Sequence, residues 1–454
     1  MTPLPIHLTP FVREFYGDLE TPVSAYLKLN QPNSFLLESV TGGEQVARYS
    51  FIGFDPFCTY IAGKNDAHPV DELQKRLAQY HIDLLPNLPS LAGGAVGFFS
   101  WEVIQTIEPI FFRKKPETAV PMAHFIFPRS LVVFDHAQRK LILLTLSDDQ
   151  DKMAAEARLD SIEAALQQPL SLPIMPIKPS ESVDFGAVDS NMTQDEFEEG
   201  VRNAKQFIYE GDAFQLVFSQ KFRLPQKKAP FEVYRNLRLI NPSPYMFYFN
   251  FPDYQLIGSS PEMLVKLTEN KATLRPIAGT RPRIQGQEEA LCAELRADTK
   301  EVAEHVMLVD LGRNDLGRVC DYHSIKPTHL MECEMYSHVI HMVSNIEGTL
   351  QKGKNAFDLF KATFPAGTLS GTPKVRAIEI IDELEPEHRG LYGGALGYFD
   401  LRGNMDLCII IRTILAQKGD YLIQAGAGIV ADSDPKTEYE ESINKAKGMV
   451  QACF

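Results

Sequence analysis

The chain has 454 residues, enough for a large core and for two or more lobes. Its formal net charge of −14 argues against nucleic acid and anionic membranes as partners, although it does not exclude an anionic small substrate. The six cysteines are scattered and form no Cys-x-x-Cys pair, which disfavours a disulfide framework, a zinc site and a redox motif.

The first residues, which read MTPLP, lack the basic segment and the long apolar run of a secretory signal. No apolar stretch in the sequence is long enough to span a bilayer. The cysteine usage fits a reducing compartment. We therefore expect a cytoplasmic location.

Two glycine-rich segments of the sequence echo each other. Gly93–Phe99 reads GGAVGFF, and Gly393–Phe399 reads GGALGYF. Each precedes two apolar runs separated by a turn. These runs are Leu131–Phe134 and Leu141–Leu146, then Leu407–Leu415 and Tyr421–Ala425. A shared strand–turn–strand module predicts two related halves, each built around a large sheet, unless the glycines coincide by chance. Apolar runs that alternate with helices favour a layered α+β fold.

A proline-rich stretch divides the chain. Pro169–Pro179 reads PLSLPIMPIKP, which cannot form a regular helix and is typical of a linker or a surface strap. Helices are predicted on both sides, over Met153–Gln167 and over Asp195–Glu210, with Gly211 ending the second. We therefore predict an N-terminal domain over residues 1–170, a linker over 171–190 and a C-terminal domain over 191–454.

Two pairs of glutamates are each spaced to lie on one side of a helix. They are Glu301 with Glu304 and Glu438 with Glu441. A solvated helix face is the usual interpretation of such a pair. If the two pairs converge, they form an oxygen-rich site that suits a hard cation such as Mg²⁺.

The helices that carry these pairs have start and stop signals of their own. The first is predicted to begin at Asp298 and to end at Gly312. Its predicted buried stripe is Val302, Val306 and Val309, with His305 and Leu308 on the glutamate face. The second is predicted to begin at Asp434 and Pro435. Its predicted buried stripe is Tyr439, Ile443, Ala446 and Val450, with Ser442 and Lys445 beside the glutamates.

Arg412 lies within the continuous apolar run Leu407–Leu415, which is typical of a strand covered on both faces. A buried guanidinium needs a carboxylate partner, and that partner could belong to the protein or to a substrate. On the next predicted strand, Gly426 and Gly428 allow a ligand close to the backbone or mark a packing bulge. Lys445 could reach an anion beside the metal or pair only with a glutamate one turn away.

Two kinds of site are disfavoured. Gly367–Lys374 reads GTLSGTPK and lacks the Gly-Lys-[Ser/Thr] of a Walker loop, so nucleoside triphosphate binding is rejected. The loop precedes a predicted helix, Lys374–Leu384, whose first N–H groups could still bind a carboxylate. No Gly-x-Ser-x-Gly or Gly-x-Cys-x-Gly elbow occurs, so a glutaminase within the chain is not expected.

Several longer motifs resemble those of the chorismate-utilising enzymes. They are Pro276–Thr280, Glu304–Asp315, Phe364–Lys374, Ala425–Ile429 and Glu438–Glu441, in the family's order. The resemblance is strongest over residues 190–450. The N-terminal part is matched through Leu36–Ser39 and Arg48–Gly53. Within the family, the chain is most similar to component I of anthranilate synthases. That resemblance implies a two-lobed layered sandwich of large, mostly antiparallel sheets with helices packed outside.

The resemblance also implies roles for individual residues. The implied Mg²⁺ ligands are Glu304 and Glu441, supported through water by Glu301 and Glu438. The implied contacts to the substrate's carboxylates are Tyr392, Arg412, Gly426, Gly428 and Lys445. Glu262 matches the general acid for the leaving C4 hydroxyl, His341 matches an active-site histidine, and Thr280 and Thr368 match pocket-lining positions.

Two positions distinguish branches of the family. Gln215 stands where the water-adding members carry a lysine base, which favours addition of an amine. Ala278 stands where aminodeoxychorismate synthases often have lysine, which favours anthranilate as the product. A tryptophan feedback pocket is also implied, although its residues could be only packing elements of the N-terminal sheet. They are Glu38, Ser39, Pro244, Tyr245 and Met246.

The function implied by the resemblance is Mg²⁺-dependent amination of chorismate at C2, loss of the C4 hydroxyl and elimination of pyruvate to give anthranilate, the first step of tryptophan biosynthesis. A separate glutamine amidotransferase subunit, component II, is expected to supply ammonia, unless free ammonia is used directly. The alternatives are component I of aminodeoxychorismate synthase, on the route to 4-aminobenzoate and folate, and a non-catalytic regulatory subunit that binds tryptophan.

Overall fold

The computed structural model describes residues 6–39, 48–83, 88–113, 120–148, 151–170, 185, 188–335 and 339–454. No helix within these residues is long and apolar enough to cross a membrane. Most of the predicted linker over 171–190 lies outside the described residues. The boundary between the two predicted domains therefore stays a prediction.

The strands are β1 (Ile6–Tyr16), β2 (Ser34–Glu38), β3 (Tyr49–Ala62), β4 (Tyr80–Ile82), β5 (Gly94–Phe99), β6 (Ala123–Asp135), β7 (Lys140–Asp148), β8 (Asp189–Ser190), β9 (Gln215–Pro225), β10 (Tyr245–Asn250), β11 (Gln255–Ser260), β12 (Met263–Thr268), β13 (Lys271–Leu274), β14 (Ile277–Pro282), β15 (Lys326–Met335), β16 (Val339–Thr349), β17 (Gly371–Thr372), β18 (Ala395–Asp400), β19 (Met405–Ile409), β20 (Thr413–Gln417) and β21 (Asp420–Ile429).

The helices are α1 (Pro22–Leu29), α2 (Pro69–Leu77), α3 (Lys152–Leu166), α4 (Gln194–Tyr209), α5 (Pro230–Ile240), α6 (Glu288–Ala297), α7 (Thr299–Gly317), α8 (Ala356–Thr363), α9 (Lys374–Leu384) and α10 (Pro435–Cys453). Short 3₁₀ helices span Trp101–Thr106 and Tyr322–Ser324.

The strands form one hydrogen-bonded network that folds into two sheets. The first sheet runs β4-β1-β7-β6-β3-β2-β10-β11-β20-β21-β9, and the second runs β6-β5-β18-β19-β12-β13-β16. Strand β6 belongs to both, because residues 130–135 pair with β7 and residues 123–126 pair with β5. Among the described strands, only β1 and β4 pair in parallel. The predicted fold class, α+β with large, mostly antiparallel sheets, is confirmed.

An apolar core lies between the two sheets. It contains Phe35 and Phe247 from the first sheet together with Val96, Phe98 and Leu396 from the second. Helices cover the outer faces. The first sheet shares a core with α1, α3, α5 and α10. The second shares a core with α2, α4, α7, α8 and α9. Since both faces of each sheet are covered, long apolar strands such as β6 are buried along nearly their whole length.

The two glycine-rich echoes of the sequence are neighbouring strands. β5 and β18 pair antiparallel, with Gly97 opposite Gly397. A Cβ atom on Gly97 would lie 2.0 Å from the His124 carbonyl oxygen, and one on Gly397 would lie 2.0 Å from the Asp406 carbonyl oxygen. The glycines are therefore needed for close approach of the backbones. Strands β6 and β7 follow the first echo, as predicted. The second echo is followed by β19, β20 and β21, so its first predicted run is divided into two strands.

The helices predicted on both sides of the linker are confirmed to within one residue at each end. They are α3 and α4, capped by Asp151 and Thr193. The Thr193 hydroxyl accepts the Glu196 amide N–H, while the Glu196 carboxylate accepts the Thr193 amide N–H, which forms a capping box. Gly211, with φ of +87°, follows the end of α4 as predicted.

Helix α7 differs from its prediction in two respects. Asp298 caps it as expected, but the helix continues through Gly312 to Gly317. A Cβ atom on Gly312 would lie 2.6 Å from Ile346 Cδ1, so this glycine serves close packing against β16 and not termination. The predicted apolar stripe was also wrong, because Val306 is 48 % exposed whereas His305 is fully buried. The contact with β14, β15 and β16 selects the buried face.

Helix α10 follows its prediction more closely. Asp434 caps it, Pro435 occupies its first turn, and Ala446 and Val450 are buried. Ser442, expected beside the glutamates, is instead fully buried. Its hydroxyl accepts a hydrogen bond of 2.6 Å from Gln220 Nε2, which ties α10 to β9.

The apolar run around Arg412 is not one strand, which corrects the prediction. β19 ends at Ile409, β20 begins at Thr413, and Arg412 lies in the break with φ of +50°. The neighbouring strands β11 and β12 break at the same level, around Glu262. Two backbone hydrogen bonds join the breaks. The Ser259 N–H donates to the Arg412 carbonyl at 3.1 Å, and the Ile409 N–H donates to the Glu262 carbonyl at 3.0 Å. The break turns the strand pair from the first sheet into the second.

Candidate active site

One cleft gathers most of the residues singled out from the sequence. Its volume is about 700 Å³. The predicted site residues that line it are Gln215, Pro244, Glu262, Glu301, Glu304, His341, Thr368, Tyr392, Arg412, Gly426, Gly428, Glu438, Glu441 and Lys445. The helices α7 and α10 contribute the four glutamates, and strands β9, β16 and β21 and the paired strand breaks contribute much of the rest.

Glu262 is the buried acid of the cleft. Its backbone is held by the paired strand breaks, and its Oε1 atom accepts a hydrogen bond of 2.9 Å from the Thr368 hydroxyl. Burial raises the pKa of Glu262 to about 7, against smaller opposing effects of the Thr368 hydrogen bond and the Lys445 charge. A carboxyl group with that pKa carries a proton in a large fraction of molecules at neutral pH, so it can donate one.

Arg412 brings an uncompensated cation into the cleft. Its guanidinium makes no hydrogen bond or ion pair with any described residue. Burial lowers the pKa of Arg412, while Tyr392 and Glu441 act in the opposite direction. The sequence left open whether its partner belongs to the protein. Since no described carboxylate is bonded to it, the guanidinium is available to a planar anion such as a ligand carboxylate.

The four predicted metal-binding glutamates share the cleft but are not gathered tightly. Burial and the nearby negative charges of Glu301 and Glu441 raise the pKa of Glu304. Burial and Glu441 likewise raise the pKa of Glu438. Glu301 is paired with Arg281 at 3.1 Å, and Glu441 is paired with Lys445 at 2.6 Å. Within the described residues, no group of three or more His, Cys, Asp or Glu is arranged to hold an ion.

Two glycines, Gly426 and Gly428, form the backbone on one side of the cleft. A Cβ atom on Gly426 would lie 2.4 Å from the Phe218 carbonyl oxygen, and one on Gly428 would lie 2.9 Å from Gln215 Nε2. The Gly426 carbonyl also accepts a hydrogen bond of 3.0 Å from Lys445 Nζ. These glycines therefore permit close strand packing, and they position an ammonium group at the edge of the cleft.

Gln215 of β9 and His341 of β16 both reach the cleft. Gln215 Nε2 donates to Glu304 Oε1 at 3.4 Å, and its Oε1 atom is buried without a hydrogen-bond partner. Burial lowers the pKa of His341, so its imidazole is neutral at neutral pH. Thr280 is opposite His341 in the β14–β16 ladder, but the placement of the Thr280 side chain lies outside the described part of the chain.

The residues expected to bind tryptophan lie around β2 and β10. Glu38 and Met246 are directly opposite each other, and Arg238 donates to both Glu38 carboxylate oxygens at 3.1 and 3.2 Å. The Tyr245 hydroxyl donates to Asp406 at 2.9 Å. The buried Ser39 hydroxyl has no hydrogen-bond partner among the described residues, and the adjoining residues 40–47 lie outside the described part. A ligand here would have to share or replace existing protein contacts.

Sequence reasoning missed two cations at the glutamate sites. Lys300 lines the cleft, where it lowers the pKa of Glu304 against the effect of burial. Arg281 bridges Asp298 and Glu301. Lys300 could have been found from the sequence, because it lies four residues before Glu304, a spacing that brings two side chains together on a helix. The position of Arg281 could not, because a strand residue reaches helix α7 only through the tertiary fold.

Comparison with known proteins agrees with the motifs. Residues 32–451 match a family model described as chorismate binding enzyme. Anthranilate synthase component 1 of Acetivibrio thermocellus is 42% identical over 470 residues, which cover 98% of this chain and 95% of that protein. The protein of the same name from Synechocystis is 44% identical over 486 residues, with coverage of 98% and 95%.

Solved structures give the same result for the fold. Anthranilate synthase component I from Streptococcus pneumoniae superposes with a TM-score of 0.82 at 36% identity, covering 96% of this chain and 99% of that one. The menaquinone-specific isochorismate synthase of Escherichia coli, at 19% identity, shares the fold with a TM-score of 0.75, covering 100% and 96%. The predicted resemblance and fold class are confirmed.

The Thr368 hydroxyl is expected to set part of the acidity of Glu262. Thr368→Val removes the hydrogen bond that stabilises the carboxylate, so the pKa of Glu262 should rise above its present value by about 1 unit. Infrared difference titration of the carboxyl band, with Glu262→Gln as the subtraction, measures this. Thr363→Val is the matched control, because the Thr363 hydroxyl bonds only the Leu359 and Phe360 carbonyls. An unchanged titration in Thr368→Val would contradict the assignment.

Proposed function

The chain belongs to the chorismate-binding enzyme family, and we propose that it is a lyase, component I of anthranilate synthase. In this proposal it aminates chorismate at C2, removes the C4 hydroxyl and eliminates pyruvate to release anthranilate. The observation that carries the proposal is the combination within one cleft of a guanidinium that no described side chain binds, a buried protonatable acid and four glutamates. Chorismate offers two carboxylates and a leaving hydroxyl to match them.

Substrate binding follows from the two cationic groups. Arg412 binds one carboxylate of chorismate in bidentate fashion, with the Tyr392 hydroxyl beside it. Lys445, already held by the Gly426 carbonyl, adds positive charge at the glycine side of the cleft. Gly426 and Gly428 leave the backbone accessible there. Binding the anion offsets the desolvation of the Arg412 guanidinium, which Tyr392 and Glu441 offset only in part.

Glu262 delivers the proton that the C4 hydroxyl needs in order to leave as water. The fraction of Glu262 that is protonated falls as pH rises through about 7, which is the pKa that burial gives it. The step that depends on this acid should therefore be favoured on the acidic side of that value. His341, whose imidazole is neutral and half-buried, is proposed to orient the substrate or assist proton handling beside it.

Mg²⁺ is proposed as the cofactor, with Glu304 and Glu441 as ligands and Glu301 and Glu438 in support. The fit rests on the chemistry of the donors: the pKa of Glu304 and of Glu438 is raised by burial and by neighbouring carboxylates, and a cation relieves both effects. Glu301 and Glu441 would exchange their present Arg281 and Lys445 partners for the ion. When bound, Mg²⁺ supplies neutralisation of a substrate carboxylate and withdraws electrons from the ring.

Ammonia is proposed as the nucleophile, supplied by a glutamine amidotransferase subunit of the component II type. Ammonia needs no general base to become nucleophilic, which suits Gln215 at the position where a water-activating lysine would stand. Ala278 further favours addition that leads to anthranilate over the route to 4-aminobenzoate. The sequence itself contains no glutaminase elbow.

Tryptophan is proposed as a feedback inhibitor that binds around Glu38, Ser39 and Pro244–Met246. The buried Ser39 hydroxyl without a partner supports the proposal, since a ligand amine or carboxylate could satisfy it. Titration calorimetry should detect tryptophan binding to the purified chain, and Ser39→Ala should weaken it. Absence of any binding heat to wild type would remove the feedback proposal and leave the catalytic one intact.

Product identification tests the catalytic proposal. Purified chain is incubated with chorismate, Mg²⁺ and ammonium salts at alkaline pH, and the products are separated by chromatography with fluorescence detection. Anthranilate is expected. Aminodeoxychorismate would instead support the 4-aminobenzoate branch, and no consumption of chorismate would favour a non-catalytic regulatory subunit.

The metal assignment is tested by Glu441→Gln. Loss of one ligand charge should lower Mg²⁺-dependent kcat/KM by on the order of 100-fold or more. Glu440→Gln is the matched control, because Glu440 is the exposed neighbour of Glu441 and does not line the cleft. Wild-type kinetics and Mg²⁺ dependence in Glu441→Gln would defeat the metal assignment.

A further inference from the structure

We propose that Arg389 is a positioning residue, which holds the substrate-facing Tyr392 and the loop that hydrogen-bonds the general acid in one fixed arrangement. The inference rests on the proposed function, because Tyr392 and Glu262 have their roles there. Arg389 itself does not line the cleft. It lies behind the cleft wall, where it lines a second cavity of about 410 Å³, and Tyr392, Ile411 and Gln424 line both cavities.

Arg389 is held in place by a buried carboxylate. The exposure of its side chain is 1%, and that of Glu385 is 3%. Arg389 Nε donates to Glu385 Oε2 at 2.9 Å, and Nη2 donates to Glu385 Oε1 at 2.8 Å. Glu385 Oε1 also accepts the amide and hydroxyl hydrogen bonds of Ser219, at 3.0 and 2.7 Å. This bidentate pair fixes the plane of the guanidinium relative to strand β9.

The remaining guanidinium N–H groups reach two segments that line the cleft. Nη1 donates to the Leu369 carbonyl at 2.7 Å, and Nη2 donates to the Val217 carbonyl at 2.7 Å. Leu369 follows Thr368, whose hydroxyl donates to Glu262 at 2.9 Å. Arg389 is therefore connected to Glu262 through the Leu369 carbonyl, the peptide unit between Thr368 and Leu369, and the Thr368 hydroxyl.

The face of the same guanidinium packs on two aromatic rings. Its Cζ atom lies 4.4 Å from the Trp101 ring centroid and 5.4 Å from the Tyr392 ring centroid. Gly390 anchors this stack through its backbone. Its carbonyl accepts a hydrogen bond of 2.7 Å from the backbone amide of Trp101, and its own amide donates to the Glu102 carboxylate at 2.9 Å. Tyr392 and Arg412 interact electrostatically, so the orientation of Tyr392 bears directly on the proposed carboxylate site.

A lysine at this position cannot reproduce the arrangement. An ammonium group keeps the charge opposite Glu385, but it lacks the planar fork and cannot serve a carboxylate and two carbonyls at these separate positions. Arg389→Lys should therefore leave the buried carboxylate paired, so that the protein folds, while it releases the Leu369 carbonyl and the Tyr392 ring.

The experiment measures chorismate kinetics of Arg389→Lys with saturating ammonium salts across a pH series. We expect kcat/KM to fall on the order of 100-fold, with a raised KM for chorismate, because Tyr392 is displaced. We also expect the acid-dependent limb to move to higher pH, because a displaced Thr368 no longer lowers the pKa of Glu262. The charged groups that act on Glu262 are otherwise unchanged, Lys445 being the one that lowers its pKa. Taking the ratio to wild type at each pH cancels the ionisation of ammonia.

Arg402→Lys is the matched control. Arg402 likewise pairs with a buried carboxylate, Asp400, at 3.1 Å and donates to the backbone carbonyls of Pro89 and Ser90, but it does not line the cleft. It should keep the wild-type KM and pH profile. Trp101→Leu is the second variant, since it removes the stacked ring and leaves every hydrogen bond of Arg389. Trp101→Leu should shift KM and the acid-dependent limb of the pH profile in the same direction as Arg389→Lys, but by smaller amounts.

The outcomes separate this inference from the proposed function. An active wild type together with an Arg389→Lys variant of unchanged KM and unchanged pH profile overturns the positioning role. The same holds for a uniform loss of kcat with no shift, which indicates only less folded enzyme. If Arg389→Lys does not fold, an unshifted Trp101→Leu overturns the role. A wild type that does not convert chorismate overturns the proposed function, and with it the assignment of Arg389 to that reaction.

Discussion

A guanidinium that no described carboxylate binds through a hydrogen bond or an ion pair determines the character of the cleft. Arg412 reaches the cleft because the chain is interrupted between β19 and β20 at the same level as between β11 and β12. Backbone hydrogen bonds join the two interruptions. An unpaired cation in a partly desolvated position costs free energy, so the fold retains it at the expense of stability. In the proposed function, that cost is offset when a carboxylate of chorismate binds.

The other groups of the cleft are arranged around this cation. Glu262 emerges from the break opposite Arg412, and its protonation is supported by burial. The glutamates of α7 and α10 supply negative charge, which suits a metal ion and not a second anion. Behind the wall, the Arg389–Glu385 pair ties three separate chain segments together.

Much of this arrangement could be predicted from the sequence, because some patterns are local. The spacing within each glutamate pair fixes the side of the helix they share, and Asp298 and Asp434 cap those helices as expected. Features that depend on packing partners were not readable. Val306 is exposed because β14–β16 select another face of α7, and Arg412 sits in a break within an apolar run that reads as one strand. Arg389 carries no local sign of its burial, which results from contacts made by three distant segments.

In the proposed function, Arg412 is kept for the substrate and not for the fold. Calorimetric titration of chorismate with Mg²⁺ into wild type and Arg412→Met, beside thermal unfolding of both proteins, tests it most directly. Methionine also has an unbranched side chain, so it tolerates the positive φ of this position about as well as arginine does. We expect Arg412→Met to lower the affinity for chorismate by on the order of 100-fold and to leave the unfolding temperature unchanged or higher. Retained affinity with a lower unfolding temperature would contradict it.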